Sequence, residues 1–164
     1  MIDKARRFAI QAHGAQRYGP HPYVHHLDAV ARHAEPFGET AQVIAYLHDV
    51  VEDTAVDLHQ ITEQFGEFVS RCVEVVTDEE GASRRERKDK TYRKMGQVED
   101  ERVVALVVKT ADRLANIQSC RSAGMERKLA MYRAEHGRFR EAVYRPGLCE
   151  ALWLRLEAAL DDGF

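Results

Sequence analysis

Cysteine is scarce in this 164-residue chain: Cys72, Cys120 and Cys149 are the only three. Far apart and odd in number, they form neither a disulfide framework nor a zinc knuckle. They read as small core residues of a reduced, cytoplasmic protein. Long hydrophobic runs are also missing. The longest aliphatic stretch, 103–108, is far too short to span a bilayer. Residues 1–7 lead into a mixed, charged helix instead of an apolar signal core. Nor does charge of one sign dominate. The 24 Lys and Arg nearly balance 27 Asp and Glu, for a net −3, so no global field points to nucleic acid or an anionic membrane. No repeat, low-complexity segment or linker divides the chain, and its length suits one compact domain, 1–164.

The four prolines, Pro20, Pro22, Pro36 and Pro146, fall between segments that read as helix. Asp3 is placed to cap a first helix to about His13, with Phe8, Ala9 and Ala12 inward and Gly14 as its stop. Residues 14–23 hold Gly14, Gly19, Pro20 and Pro22 and must be loop. A second helix starts near His25 and closes at Pro36 and Gly38. A third spans about 39–53. Asp57-Leu-His-Gln60 is a capping box for a short fourth helix ending at Gly66, and a fifth carries Phe68, Val69, Cys72, Val75 and Val76. Ser83-Arg-Arg-Glu86 is another capping box, opening the basic stretch 84–94 with its seven Lys or Arg. The helix at about 101–119 is apolar nearly all round in its first half, which predicts a central position. Its β-branched residues suit a strand, but the helical period persists through Ala111, Leu114 and Ile117. Pro146-Gly147 splits the remainder into two helices. The fold class is a single all-α helical bundle.

What is abundant is charge in the wrong place. Within the third helix, Tyr46-Leu-His-Asp-Val-Val-Glu-Asp-Thr54 crowds His48, Asp49, Glu52 and Asp53 beside a buried face of Val43, Ile44, Leu47, Val50 and Val51. Charges next to a core need compensation, and a metal ion is the simplest. A histidine pair, His25-His26, opens the second helix, and Asp112 lies on the expected central one. Taken together, His26, His48, Asp49 and Asp112 offer mixed N/O ligation that suits Mn²⁺, Fe²⁺, Co²⁺ or Zn²⁺ and leaves positions open for water. Such a cation lowers the pKa of water and polarises a phosphoryl oxygen. Glu52 and Asp53, one turn on, are then carboxylates that orient or deprotonate that water. Asp112, Asn116 and Ser119 share one helical stripe, so Asn116 and Ser119 would line the same cavity.

These pieces carry a resemblance. Ala12-His-Gly-Ala-Gln-Arg17, Pro22-Tyr-Val-His-His26, Leu47-His-Asp-Val-Val-Glu-Asp-Thr54, Phe65-Gly66, Val75-Val-Thr-Asp78, Glu86-Arg-Lys88 and Val108-Lys-Thr-Ala-Asp-Arg-Leu-Ala-Asn116 follow one another in family order from about residue 4 to residue 119. In order and spacing the chain resembles the HD-domain phosphohydrolases, and within them the (p)ppGpp hydrolase domain of RelA/SpoT enzymes and the small alarmone hydrolases. The resemblance implies an HD-type helical fold and one metal ion, usually Mn²⁺, held by His26, His48, Asp49 and Asp112, with His26 selected over its neighbour His25. It implies Glu52 and Asp53 as catalytic carboxylates, Arg17 against a guanine base, and Asn116 and Ser119 on the nucleotide. Lys88 is the member of the basic stretch expected to meet the diphosphate, the remainder reading as a solvated face. The implied reaction releases pyrophosphate from the 3′ position of ppGpp or pppGpp, without an accompanying synthetase domain, since the sequence runs out at Phe164.

The chain departs from the family pattern at the substrate. Tyr18 follows Arg17 where a second basic residue is usual, Ser119 replaces a common threonine, Ala115 replaces a larger side chain, and the loop after Arg17 is short. These departures keep open an HD phosphohydrolase acting on another nucleotide or a phosphorylated dinucleotide cofactor. A non-catalytic nucleotide-binding module is the third reading; it predicts a lost ligand or carboxylate, and none is lost.

Overall fold

The computed structural model describes residues 1–161, so positions 162–164 of the expected domain lie outside the described residues. In chain order come α1 (Ile2–His13), the two-residue strands β1 (Arg17–Tyr18) and β2 (His21–Pro22), α2 (Val24–Ala34), a 3-10 turn (Glu35–Phe37) and α3 (Glu39–Leu47). Then follow α4 (Val50–Asp53), α5 (Leu58–Phe65), α6 (Glu67–Val76), α7 (Arg84–Gly96), α8 (Val103–Ser122), α9 (Glu126–Val143) and α10 (Glu150–Leu160). The fold is all-α, as the periodicity requires. Among the described residues the one sheet is the antiparallel pair Arg17↔Pro22 and Tyr18↔His21, which folds the 14–23 loop into a small hairpin.

Helix α8 is central. It packs against α2, α3, α6, α9 and α10, and Ala105, Leu106, Val108, Ala111, Leu114 and Ile117 are buried along it. A large aliphatic side chain taken fully out of water stabilises by roughly 1.5–3 kcal/mol, so this run organises the fold. All three cysteines are free and buried.

Local signals were met in part. Asp57 and Gln60 form the full reciprocal box at the start of α5, at 2.9 and 3.1 Å. At α7 only half forms. Ser83 accepts from the Glu86 amide at 3.2 Å, while the Glu86 carboxylate reaches one residue further back, to the Ala82 amide at 3.0 Å. Asp3 is not a cap: α1 begins at Ile2, and the Met1 ammonium anchors it to Glu39 at 2.8 Å, which leaves Asp3 in the first turn. Gly14 ends α1 with φ of 52°, a conformation a side chain resists, and so directs the chain into the hairpin.

The expected 39–53 helix is broken. The α-helical hydrogen bonding stops at Leu47 and resumes at Val50, with His48 and Asp49 in the turn between. The cause is local. The His48 ring Nδ1 sits 2.7 Å from the Ala45 carbonyl, one turn back, and competes for an acceptor the helix would otherwise use. Asp49 relaxes to φ −102°, ψ −4°. The kink turns both side chains toward α2 and α8.

Candidate functional site

Three elements converge on one buried corner. From α2, His26 contributes Nε2; from the α3–α4 turn, His48 contributes Nε2 and Asp49 Oδ2; from α8, Asp112 contributes Oδ1. His26 Nε2 lies 3.1 Å from Asp112 Oδ1 and 3.7 Å from Asp49 Oδ2. His48 Nε2 lies 3.0 Å from Asp49 Oδ2 and 3.4 Å from Asp112 Oδ1. One donor atom each from His26, His48 and Asp49 falls within 4.8 Å of the others. The four expected ligands are therefore brought together.

The donor set fits a cation. The Ala45 carbonyl can only accept, so His48 Nδ1 carries a proton and Nε2 is the nitrogen turned inward, where a cation would take the place of the second proton that the carboxylates favour. That Nε2 is buried and has no hydrogen-bond partner, although the carboxylates are close. A buried orphan nitrogen costs free energy unless something binds it. The electrostatics agree. Burial alone would push the His48 imidazolium down, but the Asp49 and Asp112 carboxylates outweigh it and hold it well above its ordinary range. Burial would raise Asp112, yet Lys109 and His48 hold it well below the usual carboxylate range; His48 does the same for Asp49. The corner favours positive charge.

Around it runs a layer of orienting groups. Tyr23 donates its hydroxyl to Asp49 Oδ2 at 2.5 Å, and burial together with Asp49 pushes the phenol up, so it stays a donor. Asn116 Nδ2 donates to Asp112 Oδ1 at 2.8 Å, and Lys109 Nζ sits 3.3 Å from Asp112 Oδ2.

The ligands open on a small polar cavity of about 240 Å³. Glu52 and Asp53 line one side; Arg84, Lys88, Lys109 and Arg113 line it as well. Glu52 is solvent-accessible but walled in. That desolvation pushes its carboxyl up, and Asp78 and Asp49 add to the effect against Lys109. A carboxyl raised in this way holds its proton more readily than a free one, which suits it to proton exchange with water. Asp53 is held by Gln16, which donates at 2.9 Å and is itself paired with His13 Nδ1 at 2.8 Å. Lys88 reaches the cavity while paired with Asp78 at 2.6 Å. The basic stretch is thus divided. Arg84 and Lys88, one turn apart, face the cavity, while Arg85, Lys90 and Lys94 pair with Asp89, Glu86 and Glu79.

A second, larger cavity of about 660 Å³ adjoins the first, with His26, Asn116 and Tyr132 lining both. Arg17 and Ser119 lie here, not in the polar cavity. Arg17 is exposed, and its guanidinium folds back onto the Pro20 carbonyl. His25 is exposed and stacks on His21 at 4.0 Å, away from the ligand corner, which leaves His26 as the inward histidine.

Sequence reasoning missed Tyr23, Arg113 and Tyr132 as site residues, and read Tyr18 only as a departure at the substrate, not as a neighbour of His26 and Asn116. Tyr23 and Arg113 adjoin recognised motif positions, a signal that was available. Tyr132 arrives on α9 from a segment without any distinguishing pattern.

The HD domain family model matches residues 5–137 of the chain. A probable guanosine-3′,5′-bis(diphosphate) 3′-pyrophosphohydrolase of Synechocystis sp. is 32% identical over 159 residues, covering 93% of this chain and 21% of that protein. The guanosine-3′,5′-bis(diphosphate) 3′-pyrophosphohydrolase of Aquifex aeolicus is 37% identical over 123 residues, 72% of this chain and 17% of that one. The Danio rerio protein of the same name is 34% identical over 118 residues, 68% of this chain and 64% of its own length. The chain thus spans about a fifth of the bacterial relatives. Among solved structures, a metazoan ortholog of SpoT described as hydrolysing ppGpp superposes with a TM-score of 0.76 at 22% identity, over 96% of this chain and 92% of that one. The chain belongs to the HD domain family. HD-domain hydrolases depend on a divalent metal, and the His26, His48 and Asp49 cluster is a possible site for one. No helix among the described residues is long and apolar enough to cross a membrane.

Proposed function

We propose that this chain is a cytoplasmic, single-domain hydrolase of (p)ppGpp, using one divalent ion, Mn²⁺, to release pyrophosphate from the 3′ position and leave GDP or GTP. The observation that carries the reading is the pairing of cavities. A polar one with clustered metal donors, two carboxylates and four cationic side chains opens on a larger one of nucleoside size. Curated relatives with this activity add support.

On this reading His26, His48, Asp49 and Asp112 hold the ion, which when bound lowers the pKa of water and neutralises phosphoryl charge. Glu52 and Asp53 take the proton from the attacking water and steer it toward the 3′ phosphorus. Lys88, with Arg84 and Arg113, meets the departing diphosphate and stabilises charge as it develops. Arg17 swings off Pro20 to cover the guanine base, and Ser119 and Asn116 contact the nucleoside. No nucleic acid or membrane partner is required.

Incubation with ppGpp and Mn²⁺, with product separation, tests this: GDP and pyrophosphate are expected. A second reading, hydrolysis of another nucleotide or a phosphorylated dinucleotide cofactor, rests on Tyr18, which stands where the family resemblance implies a second basic residue, and on Ala115, both lining the larger cavity. A nucleotide panel run alongside discriminates. Turnover of another nucleotide with ppGpp untouched would replace the first reading by the second.

A further inference from the structure

Tyr18 lines the larger cavity, where it touches one candidate ligand, His26, directly and a second, Asp112, through Asn116. Its ring lies flat on His26, with centroids 4.6 Å apart and planes 14° from parallel. Its hydroxyl donates to Asn116 Oδ1 at 2.7 Å. Asn116 passes the constraint on, donating Nδ2 to Asp112 Oδ1 at 2.8 Å. The direction of this chain is forced. A carboxylate accepts only, so the amide must turn its NH₂ to Asp112 and its oxygen to the phenol. Asp112 Oδ1 is also the oxygen nearest His26 and His48, while Oδ2 faces Lys109. The relay therefore ends on the atom aimed at the ligand corner.

We propose that Tyr18 is a positioning residue for the metal site, holding Asp112 through Asn116 and His26 through ring stacking, across a sequence separation that joins the hairpin to α8. The inference rests on the metal-dependent reading of the site but not on the identity of the substrate. Groups that orient metal ligands commonly contribute about 10- to 100-fold in metal affinity or activity. The hairpin carrying Arg17 and the ligand corner would then be mechanically linked, since moving one strains the other.

The test measures divalent-metal affinity of the full chain by chelator competition with Mn²⁺, comparing wild type, Tyr18→Phe, Tyr18→Ala, Asn116→Ala and the Tyr18→Phe/Asn116→Ala double variant. Tyr18→Phe keeps the stacked ring and removes only the hydroxyl. It is expected to weaken Mn²⁺ binding about 10-fold, with Tyr18→Ala weaker again and the metal-free melting temperature of Tyr18→Phe unchanged. The double variant should lose no more than Asn116→Ala alone, because the two groups act in series. With ppGpp, Tyr18→Phe should lower kcat at unchanged KM, recovering as Mn²⁺ is raised. If Tyr18→Phe binds Mn²⁺ as wild type does, or the two losses add, the proposal is overturned; a raised KM at unchanged kcat overturns it in favour of nucleotide contact. Weakened Mn²⁺ binding in a protein that ignores ppGpp leaves this inference standing while the substrate reading fails.

Discussion

The two cavities differ in how they are built. The polar one is walled by helices: α2, the α3–α4 turn, α4, α7 and α8 supply its charged groups, anchored in the buried run of α8. The larger one is walled on one side by the 17–21 hairpin and on the others by α2, the end of α8 and the start of α9. Its hairpin wall is exposed or folded onto its own backbone, as His21 and Arg17 are, and Ala115 on α8 leaves it room. Chemistry that needs fixed distances sits on rigid elements, where packing sets the geometry; recognition that needs adjustment sits on a loop. On the proposed function, the difference teaches that change in the hairpin would alter the substrate while leaving the reaction intact.

The largest expected break of that contrast is His48→Ala or Asp112→Ala. Either should remove bound metal and bring turnover to background, with nucleotide binding in the larger cavity retained, as metal analysis and equilibrium dialysis would read. Asp112→Ala should also lower the melting temperature, because buried Lys109 then loses its carboxylate. Next come Glu52→Gln and Asp53→Asn, expected to reduce kcat by about 10²- to 10⁴-fold with metal content unchanged. Loss of metal in either would merge their role with that of the ligands. Ala115→Leu fills the larger cavity from α8. A rise in KM of about 10-fold with kcat and Mn²⁺ affinity held would sharpen the division of labour.

The smallest effect concerns the outer wall. Glu135 on α9 accepts from Arg84 at 2.9 Å and from Arg113 at 3.1 Å, tying together two cations that face the polar cavity. Burial would raise its carboxyl, but Arg84 and Arg113 hold it below the ordinary range. A depressed folded pKa stabilises the protein above the unfolded value of about 4.3 and loses that contribution as pH falls through the folded one. Wild type should therefore exceed Glu135→Gln in urea midpoint at pH 6, and the gap should close below about pH 4. A gap that persists at acid pH would make Glu135 a packing residue.

Much of the polar cavity was legible because its residue types are costly where they stand. His48, Asp49 and Asp112 sit inside apolar helical patterns, and only a shared task repays that cost. The helices themselves followed from spacing, and the centrality of α8 from its unbroken apolar surface. The α3–α4 break was not legible. It depends on His48 Nδ1 capturing the Ala45 carbonyl, a contact the apolar period does not encode. The hairpin register, which brings Tyr18 over His26 and onto Asn116, was equally hidden, and Tyr18 stood out only as a departure. Asn116 and Ser119 share the Asp112 stripe, as expected, yet Ser119 faces the other cavity because the stripe drifts past the junction over two turns.

By itself the sequence determined the helical class, the central helix, the donor types and their order along the chain. Those depend on local periodicity and on the cost of burying charge, which neighbouring residues reveal. Tertiary structure alone decided that Tyr18 and Tyr23 reach the candidate ligands and that Arg84, Arg113 and Tyr132 complete the walls, while it agrees with the resemblance that His26 and not His25 points inward. The reason is one of scale. Residues far apart in sequence meet only through helix packing and loop register, and a rotation of one helix by a single residue would carry each of them out of reach.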